Sequence, residues 1–342
     1  MSIKFSEIPS KNLLVTGGAG FIGSNFIRCI CNDAFQIVNY DKLTYAGNLE
    51  NLKEVEKSFT FVHGDICDAA LVRSTIERHE IDTIIHFAAE SHVDRSILGP
   101  LVFTQTNVVG THTLLEVARE TGIKKFIHIS TDEVYGSLGA TGAFSENSPL
   151  NPSSPYAASK TCSDLLVLAY TKTFHLPAAV LRCSNNYGTY QFPEKLIPLM
   201  ITNALRDIPL PVYGDGLNVR DWIHTSDYSR AVLSVMNFGI SGEVYNVGCN
   251  NEWTNIDIVK FILKELGKDE GLITFVKDRP AHDRRYAIDS AKIRKELGWK
   301  PLMSFEDGIH QTIDWYIKNR EWWERVMTGE YMNYYTSQYE NR

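Results

Sequence analysis

The chain is poor in the features that stabilise small secreted proteins or anchor membrane proteins. Its six cysteines, at positions 29, 31, 67, 162, 183 and 249, form no C-x-x-C pair, and Cys29 and Cys31 stand two apart within a stretch that reads as a helix. A disulfide framework is therefore excluded, and free thiols in a reducing cytoplasm are expected. No run of about 18 apolar residues occurs, so no membrane span is expected. Residues 1–11 carry Lys4, Glu7 and Lys11 among scattered apolar side chains rather than a hydrophobic signal core, so no secretion signal is expected either. His92, His224 and the other histidines lack metal-ligand spacing such as H-E-x-x-H, and no metal is expected. Positive charge is also short, with 34 Lys and Arg against 41 Asp and Glu and a net charge of -7. The overall field argues against nucleic acid or an anionic membrane as partner. A small anionic ligand would need a local basic pocket.

What is present describes a globular protein. The 342 residues are 44% hydrophobic and 22% charged, which excludes disorder for the bulk of the chain. At roughly 150 residues per domain the length predicts about two domains. Short apolar runs alternate with amphipathic stretches through the first half, at 12–16, 23–31, 36–40, 59–63, 69–78, 83–88, 107–121 and 125–130. That βαβαβ rhythm predicts an α/β fold, a Rossmann-type doubly wound parallel sheet followed by a smaller C-terminal α/β substrate-binding domain. We expect residues 1–185 to form the dinucleotide domain with the catalytic residues. Residues 186–342 should bind mainly the rest of the substrate, with some segments returning to the first domain. Beyond about 185 the segments Q-F-P-E-K, I-P-L-P-V-Y-G-D-G and D-R-P-A-H-D-R-R-Y read as loops, with helices near 255–266 and 305–319. The aromatic tail, 321–342, reads as packing against the body or a neighbouring subunit rather than as a ligand platform.

Gly17, Gly20 and Gly23 form G-x-x-G-x-x-G directly after the first strand and open an apolar helix. Glycines there allow a tight turn and close approach to a pyrophosphate, which the helix N-terminus attracts. Asp41 ends the next strand eighteen residues later, where its carboxylate can accept from an adenosine ribose and repel a 2'-phosphate. NAD is favoured over NADP, with Lys42 as the complication. Asp65, after the third strand, could receive the adenine amino group, and the small side chains of Ala88 and Ala89 would let a dinucleotide cross the sheet.

In Y-A-A-S-K, Tyr156 and Lys160 stand four apart and so share a helix face. A neighbouring ammonium and the positive nicotinamide would favour the phenolate, which can take a proton from a hydroxyl as hydride leaves the same carbon. At the end of a core strand, S-T-D-E-V-Y adds Ser130 or Thr131 to hold that hydroxyl, and supplies the adjacent acids Asp132 and Glu133.

These segments bring the chain close to a known family. With T-G-G-A-G-F-I-G-S-N-F, Y-D-K-L-T-Y-A-G-N-L, A-A-E-S-H-V-D-R-S-I, R-C-S-N-N-Y-G and Q-F-P-E-K-L-I-P-L, it resembles the extended short-chain dehydrogenase/reductases, specifically the nucleotide-sugar 4,6-dehydratases of the dTDP-glucose type. The resemblance runs from about Leu13 to Trp323. It implies that Tyr156, Lys160 and Thr131 oxidise C4 of the sugar with NAD. Glu133 would then remove the C5 proton, Asp132 would donate to the departing C6 hydroxyl, and hydride would return to C6. It also implies Phe21, Ile22, Thr44, Ile66 and Thr106 beside the cofactor. Ser91, Asn185, Glu194, Lys195, Leu196, Pro211, Tyr213, Arg220, Asn255, Arg279, His282 and Tyr286 would line the sugar and nucleotide site. Arg220 and Arg279 would fork the diphosphate, whereas Arg284 and Arg285 read equally well as surface charge. A homodimer is implied, with helices near 104–120 and 155–174 pairing across a two-fold axis.

Two positions depart from the family pattern: Thr189 stands for the usual Pro after N-Y-G, and Ala281 for the usual Gly of D-R-P-G-H-D. They leave base and sugar open. The alternatives are a UDP-N-acetylglucosamine dehydratase, including one that releases a 5,6-ene, and a 4-epimerase, against which the Asp132-Glu133 pair argues. A non-catalytic NAD-binding scaffold would give no reason for the five residues to occur together.

Overall fold

The computed structural model of the chain describes residues 3–327 and 329–340. In chain order the strands are β1 (Asn12–Thr16), β2 (Gln36–Asp41), β3 (Thr60–His63), β4 (Thr83–His86), β5 (Lys125–Thr131) and β6 (Ala178–Cys183). They continue with β7 (Asn185–Tyr187), β8 (Leu210–Tyr213), β9 (Val219–His224), β10 (Val244–Val247), β11 (Glu252–Thr254) and β12 (Ile273–Val276). Seven of them form one sheet in the order β10-β6-β5-β4-β1-β2-β3, and every pairing is parallel. Strand order reverses between β1 and β4, so the ligand crevice belongs at the carboxyl ends beside that switch point. β4 and β5 are buried at every position, as strands covered on both faces must be.

Two apolar layers cover the sheet. On one face Phe26, Ile27 and Ile30 of Phe21–Ile30 meet Leu13, Val15 and Ile127, together with Tyr228, Val232 and Met236 of Thr225–Phe238. On the other, Val72 and Ile76 join Leu114, Ala118, Val167 and Tyr170 against Leu14, Ile84 and Val180. A third core gathers around Ile201, Trp222, Ile262, Phe305, Tyr316 and Trp323 in the second half of the chain. Among the described residues no helix is long and apolar enough to cross a membrane.

The second half is more regular than its punctuation predicts. Leu210–Tyr213, expected as loop, is β8, paired in parallel with β12. A two-stranded sheet consists only of edges, where Pro211 is tolerated, and the turn follows at Gly214 and Gly216, both at positive φ. β10 and Thr225–Phe238 return to the large sheet. The segments 191–195 and 278–286 are loops as expected, apart from one bridge between Val219 and Arg285. The helix expected from 107 begins at Pro100, and its middle, Thr104–Gly110, is wound as a π-helix. Such segments are frequent at functional sites, and Thr106 of this one borders a cavity.

The glycine turn is fixed by close approach rather than by preference alone. Gly17 has φ +71°, and a methyl group there would stand 2.5 Å from the Ala88 nitrogen. At Gly23 a methyl would stand 2.3 Å from the Gly17 carbonyl oxygen. Gly17→Ala should lower stability by at least ~2 kcal/mol, since a left-handed backbone and a backbone overlap both have to be relieved. Thermal denaturation measures this, and an unchanged midpoint would mean that the turn can shift.

Candidate active site

β5 ends at Thr131, whose hydroxyl caps the following 3-10 turn, Asp132–Tyr135, by accepting the Glu133 amide at 3.3 Å. Strand end and turn together deliver Thr131, Asp132 and Glu133 to the crevice in three successive residues. Beside them Pro155–Phe174 starts with Pro155 in its first turn and the Ser154 hydroxyl accepting the Ala157 amide. Tyr156 and Lys160 lie one turn apart on this helix, both buried, and border the same cavity as Thr131. Lys160 Nζ donates to the Ile129 carbonyl at 2.7 Å.

Burial dominates the electrostatics. It raises Asp132 well above the carboxylate range, and the Glu133 and Asp221 charges push it further, with Arg220 opposing. Asp132 Oδ2 is buried without a hydrogen-bond partner. Glu133 is raised by burial too, but Arg279, Arg220 and Lys195 pull it back. Burial and then Glu133 push the Tyr156 phenol up, whereas burial brings Lys160 down to about 8.

One elongated cavity runs from the glycine turn, past Asp41, Lys42, Thr44, Asp65 and Ile66, to Ala88, Thr106, Thr131, Tyr156 and Lys160. Phe21, Ile22 and Gly23 of the first helical turn line it as well, so every expected cofactor residue borders this one space. Its chemistry suits NAD. Asp41 is held by the Ala19 and Leu43 amides, at 2.9 and 2.8 Å. Lys42, the feature that could have favoured a 2'-phosphate, is paired with Asp65 at 2.7 Å. That pairing also occupies Asp65, whose other oxygen accepts the Cys67 amide.

A second cavity adjoins the first at Ser91, Glu133, Asn185, Glu194 and Lys195, and continues along Leu196, Pro211, Tyr213, Arg220, Asn255, Arg279, His282 and Tyr286. Of the thirteen residues expected at the substrate, twelve border it; Thr131, which holds the reacting hydroxyl in that expectation, borders the first cavity. Arg220 is partly committed, with Nη1 on the Val219 carbonyl at 2.7 Å, Nη2 on that of Asp283 at 2.9 Å, and its plane over the Tyr286 ring. Arg279 is half-buried, with its buried Nε unpartnered and Nη1 3.6 Å from Asp94. Arg284 and Arg285 form peripheral pairs with Asp215 and Glu252. Glu194 accepts from Tyr45 at 2.9 Å and from Arg95 at 3.0 Å. Tyr45 was not legible as a site residue, because its part depends on a contact between distant segments; Asp94 and Arg95 lie in 90–95, which follows β4 and so belongs at the crevice rim, but their partners could not be read.

The family model of GDP-mannose 4,6 dehydratase matches residues 14–312. The chain belongs to this family. A dTDP-glucose 4,6-dehydratase of Neisseria meningitidis is 52% identical over 94% of this chain and 97% of its own. The crystal structure of DesIV, a dTDP-glucose 4,6-dehydratase of Streptomyces venezuelae with NAD bound, superposes with a TM-score of 0.90 at 50% identity, covering 92% of this chain and 99% of that one. A UDP-glucose 4-epimerase of Thermotoga maritima superposes at 0.86 with 30% identity, over 90% and 99%. The fold is thus shared with epimerases, while sequence identity is greater to the dehydratases.

One expectation about this dehydratase-family chain needs correction. The tail does pack, with Trp322, Trp323, Tyr331, Tyr334 and Tyr335 buried, but Tyr339 lines the second cavity. The tail therefore also forms part of the site's wall. Reading aromatics only as core missed this, since no spacing within the tail signals which cavity it will reach.

The orphaned acid has a measurable cost. A carboxyl whose folded pKa lies above its unfolded value favours folding at low pH, and that contribution is lost as pH rises past the unfolded value. Asp132→Asn should therefore raise the thermal midpoint at neutral pH by roughly 2–4 °C, with the gain shrinking toward pH 4. Denaturation across pH tests it, and an equal or lower midpoint at neutrality would refute the stored cost.

Proposed function

We propose that this protein is an NAD-dependent nucleotide-sugar 4,6-dehydratase, a hydro-lyase that converts dTDP-glucose to dTDP-4-keto-6-deoxyglucose. The observation that carries the reading is the Asp132-Glu133 pair at the end of β5, sharing one cavity wall with Tyr156 and Lys160. An oxidation alone needs only the phenol and the lysine; two further carboxyls suit removal of water. The half-identical dehydratases named above support the substrate.

The residues divide the work by environment. Bound NAD supplies a hydride acceptor for C4 and, at the end, a hydride donor for C6. Gly17, Gly20 and Gly23 with the first helical turn would hold its pyrophosphate, and Asp41 the ribose. Tyr156 takes the proton of the C4 hydroxyl, with Lys160 offsetting the phenolate charge and Thr131 holding the same oxygen. The C4 ketone acidifies the C5 hydrogen, which Glu133 removes. Asp132, kept protonated by burial, gives its proton to the C6 hydroxyl, which leaves as water. A proton from Glu133 returns to C5 as C6 is reduced, and the proton that Tyr156 took from the C4 hydroxyl passes through solvent to Asp132, so the enzyme ends as it began. Arg220 and Arg279 would face the diphosphate from the second cavity.

We also propose a cytoplasmic homodimer. The exposed apolar side chains Leu98, Leu101, Val102, Val109 and Leu165 cluster on the helices at 93–110 and 155–174 and would be covered by a second copy. Residues 1–185 would then form the cofactor and dimer half, and 186–342 mainly the nucleotide-sugar half.

Incubation with dTDP-glucose and UDP-N-acetylglucosamine, side by side, tests the substrate by mass spectrometry. Loss of one water from dTDP-glucose is expected, whereas turnover of the UDP sugar alone would move the assignment. Glu133→Gln should keep NAD bound yet lower dehydration by at least ~100-fold, as removal of a general base does; near-normal turnover would remove Glu133 from this role. On the alkaline side, kcat/KM should decline as pH rises past about 8, where the buried Lys160 loses the charge that supports the phenolate. A profile with no alkaline decline would mean that the Lys160 charge is not required.

A further inference from the structure

Two side chains that border neither cavity hold a carboxylate that borders both. Glu194 lies where the cofactor space meets the second cavity, with its side chain 1% exposed. Its Oε1 accepts the Tyr45 hydroxyl at 2.9 Å, and its Oε2 accepts Arg95 Nε at 3.0 Å. The two holders also pack on each other. The Arg95 guanidinium lies 3.9 Å from the centre of the Tyr45 ring, which meets Phe192 edge to face with ring centroids 5.6 Å apart. A buried carboxylate needs such partners, and each of its oxygens keeps a lone pair for a further donor from the cavity.

Tyr45 reaches Glu194 from the loop that borders the cofactor. Lys42, Thr44, Ala46 and Gly47 line the cofactor space, whereas Tyr45, between them, does not. The loop is fixed at both ends. Leu43, at φ +53°, donates its amide to Asp41 Oδ1 at 2.8 Å, and the Asn48 amide returns to the Ala19 carbonyl at 3.0 Å. Asp41 Oδ2 accepts the Ala19 amide at 2.9 Å, so one carboxylate anchors both the glycine turn and the loop that presents Tyr45. What Glu194 meets follows from its place and its charge. It shares the junction of the cavities with Glu133, beside which a sugar must sit to react. A carboxylate suits the hydroxyls of that sugar, which donate, and not the diphosphate, which repels it.

We propose that Tyr45 is a positioning residue for the sugar end of the substrate, fixing from the cofactor loop the orientation in which Glu194 receives the sugar hydroxyls. This rests on the nucleotide-sugar reading above. The phenol borders neither cavity, so its influence passes through Glu194. A nucleotide that lacks its sugar should not register the loss of Tyr45.

The test uses full-length holoenzyme and two probes, dTDP binding at equilibrium and dTDP-glucose turnover. Tyr45→Phe removes one hydroxyl and keeps the ring on Arg95 and Phe192. It should lower kcat/KM for dTDP-glucose about tenfold, the size of one hydrogen bond to a charged group, with the dTDP Kd and the bound NAD within about twofold of wild type. Glu194→Ala should also lower kcat/KM, and in that background Tyr45→Phe should cost less than about a further twofold, because the two side chains act as one unit. A kcat/KM within about twofold of wild type in Tyr45→Phe would overturn the inference. So would losses that multiply in the double variant, or a dTDP Kd that rises in step with the loss of turnover, since the phenol would then shape the cavity at large. If wild type binds dTDP but leaves dTDP-glucose unchanged, the functional reading fails. The Kd of the unreacted dTDP-glucose against that of dTDP, in wild type and Tyr45→Phe, then still decides the part played by Tyr45.

Discussion

The site depends on removing two neighbouring carboxyls from water without removing them equally from positive charge. Desolvation alone would raise Asp132 and Glu133 together and leave neither suited to act as base. The cations break the symmetry. Arg279, Arg220 and Lys195 all act on Glu133, whereas Asp132 faces the charges of Glu133 and Asp221 with Arg220 as its counterweight. Both carboxyls are raised, Asp132 the more strongly and Glu133 against the pull of three cations, and pushing two neighbouring acids apart in this way is what an acid and a base working together use. These cations are costly to bury as well, so each is held. Lys195 Nζ donates to the Ser91 carbonyl at 3.0 Å, and Arg220 to two backbone carbonyls.

That charge pattern is assembled from parts far apart in the chain. β5 fixes the acids by ending in the middle of the large sheet, and the Asp132–Tyr135 turn sets their direction. The opposing cations come from β9 and from the loop at 278–286, which is clipped to β9 by the Val219 amide on Arg284 and the Tyr286 amide on Val219, at 2.8 and 3.1 Å. β7 and β9 run side by side from Asn185 and Trp222 onward, so Asn185 follows directly from β6 of the large sheet into the layer that carries Arg220. The two halves of the chain are thus joined at the place where their charges must balance. A change in the 278–286 loop would alter the proton affinity of Glu133 without touching it.

The sequence made the first half legible because each element there is local. Hydrophobic period, glycine turn and strand-end acids all declare themselves within a few residues, and the helix that the family resemblance implies near 155–174 is Pro155–Phe174 in the structure. The elements of the second half were harder to read because tertiary pairing overrides propensity. Pro211 and the Gly-rich punctuation argue for loop, and only the partner strand β12 makes 210–213 extended. The same holds for the site. Tyr156, Lys160, Asp132 and Glu133 sit in motifs whose spacing carries their chemistry. Asp94, Arg95 and Tyr45 hydrogen-bond to partners 99 to 244 positions away in sequence for Arg95 and Asp94, and 149 away for Tyr45, and no local pattern reports such contacts.

The two departures from the family pattern now acquire physical content. Thr189 lines neither cavity; its carbonyl accepts Asn25 Nδ2 at 3.0 Å, so it fastens the first helix to the segment after β7. A residue in that place affects how the halves join rather than which base is read. Ala281 has φ +51°, in the left-handed region where glycine is free and alanine is strained by roughly 1–2 kcal/mol. Keeping that conformation despite the strain requires the loop to be over-determined by its neighbours. His282 Nδ1 on Asp278 at 2.6 Å and Asn218 on the Asp283 carbonyl at 3.2 Å supply that restraint. Neither substitution therefore changes a group that faces the nucleotide.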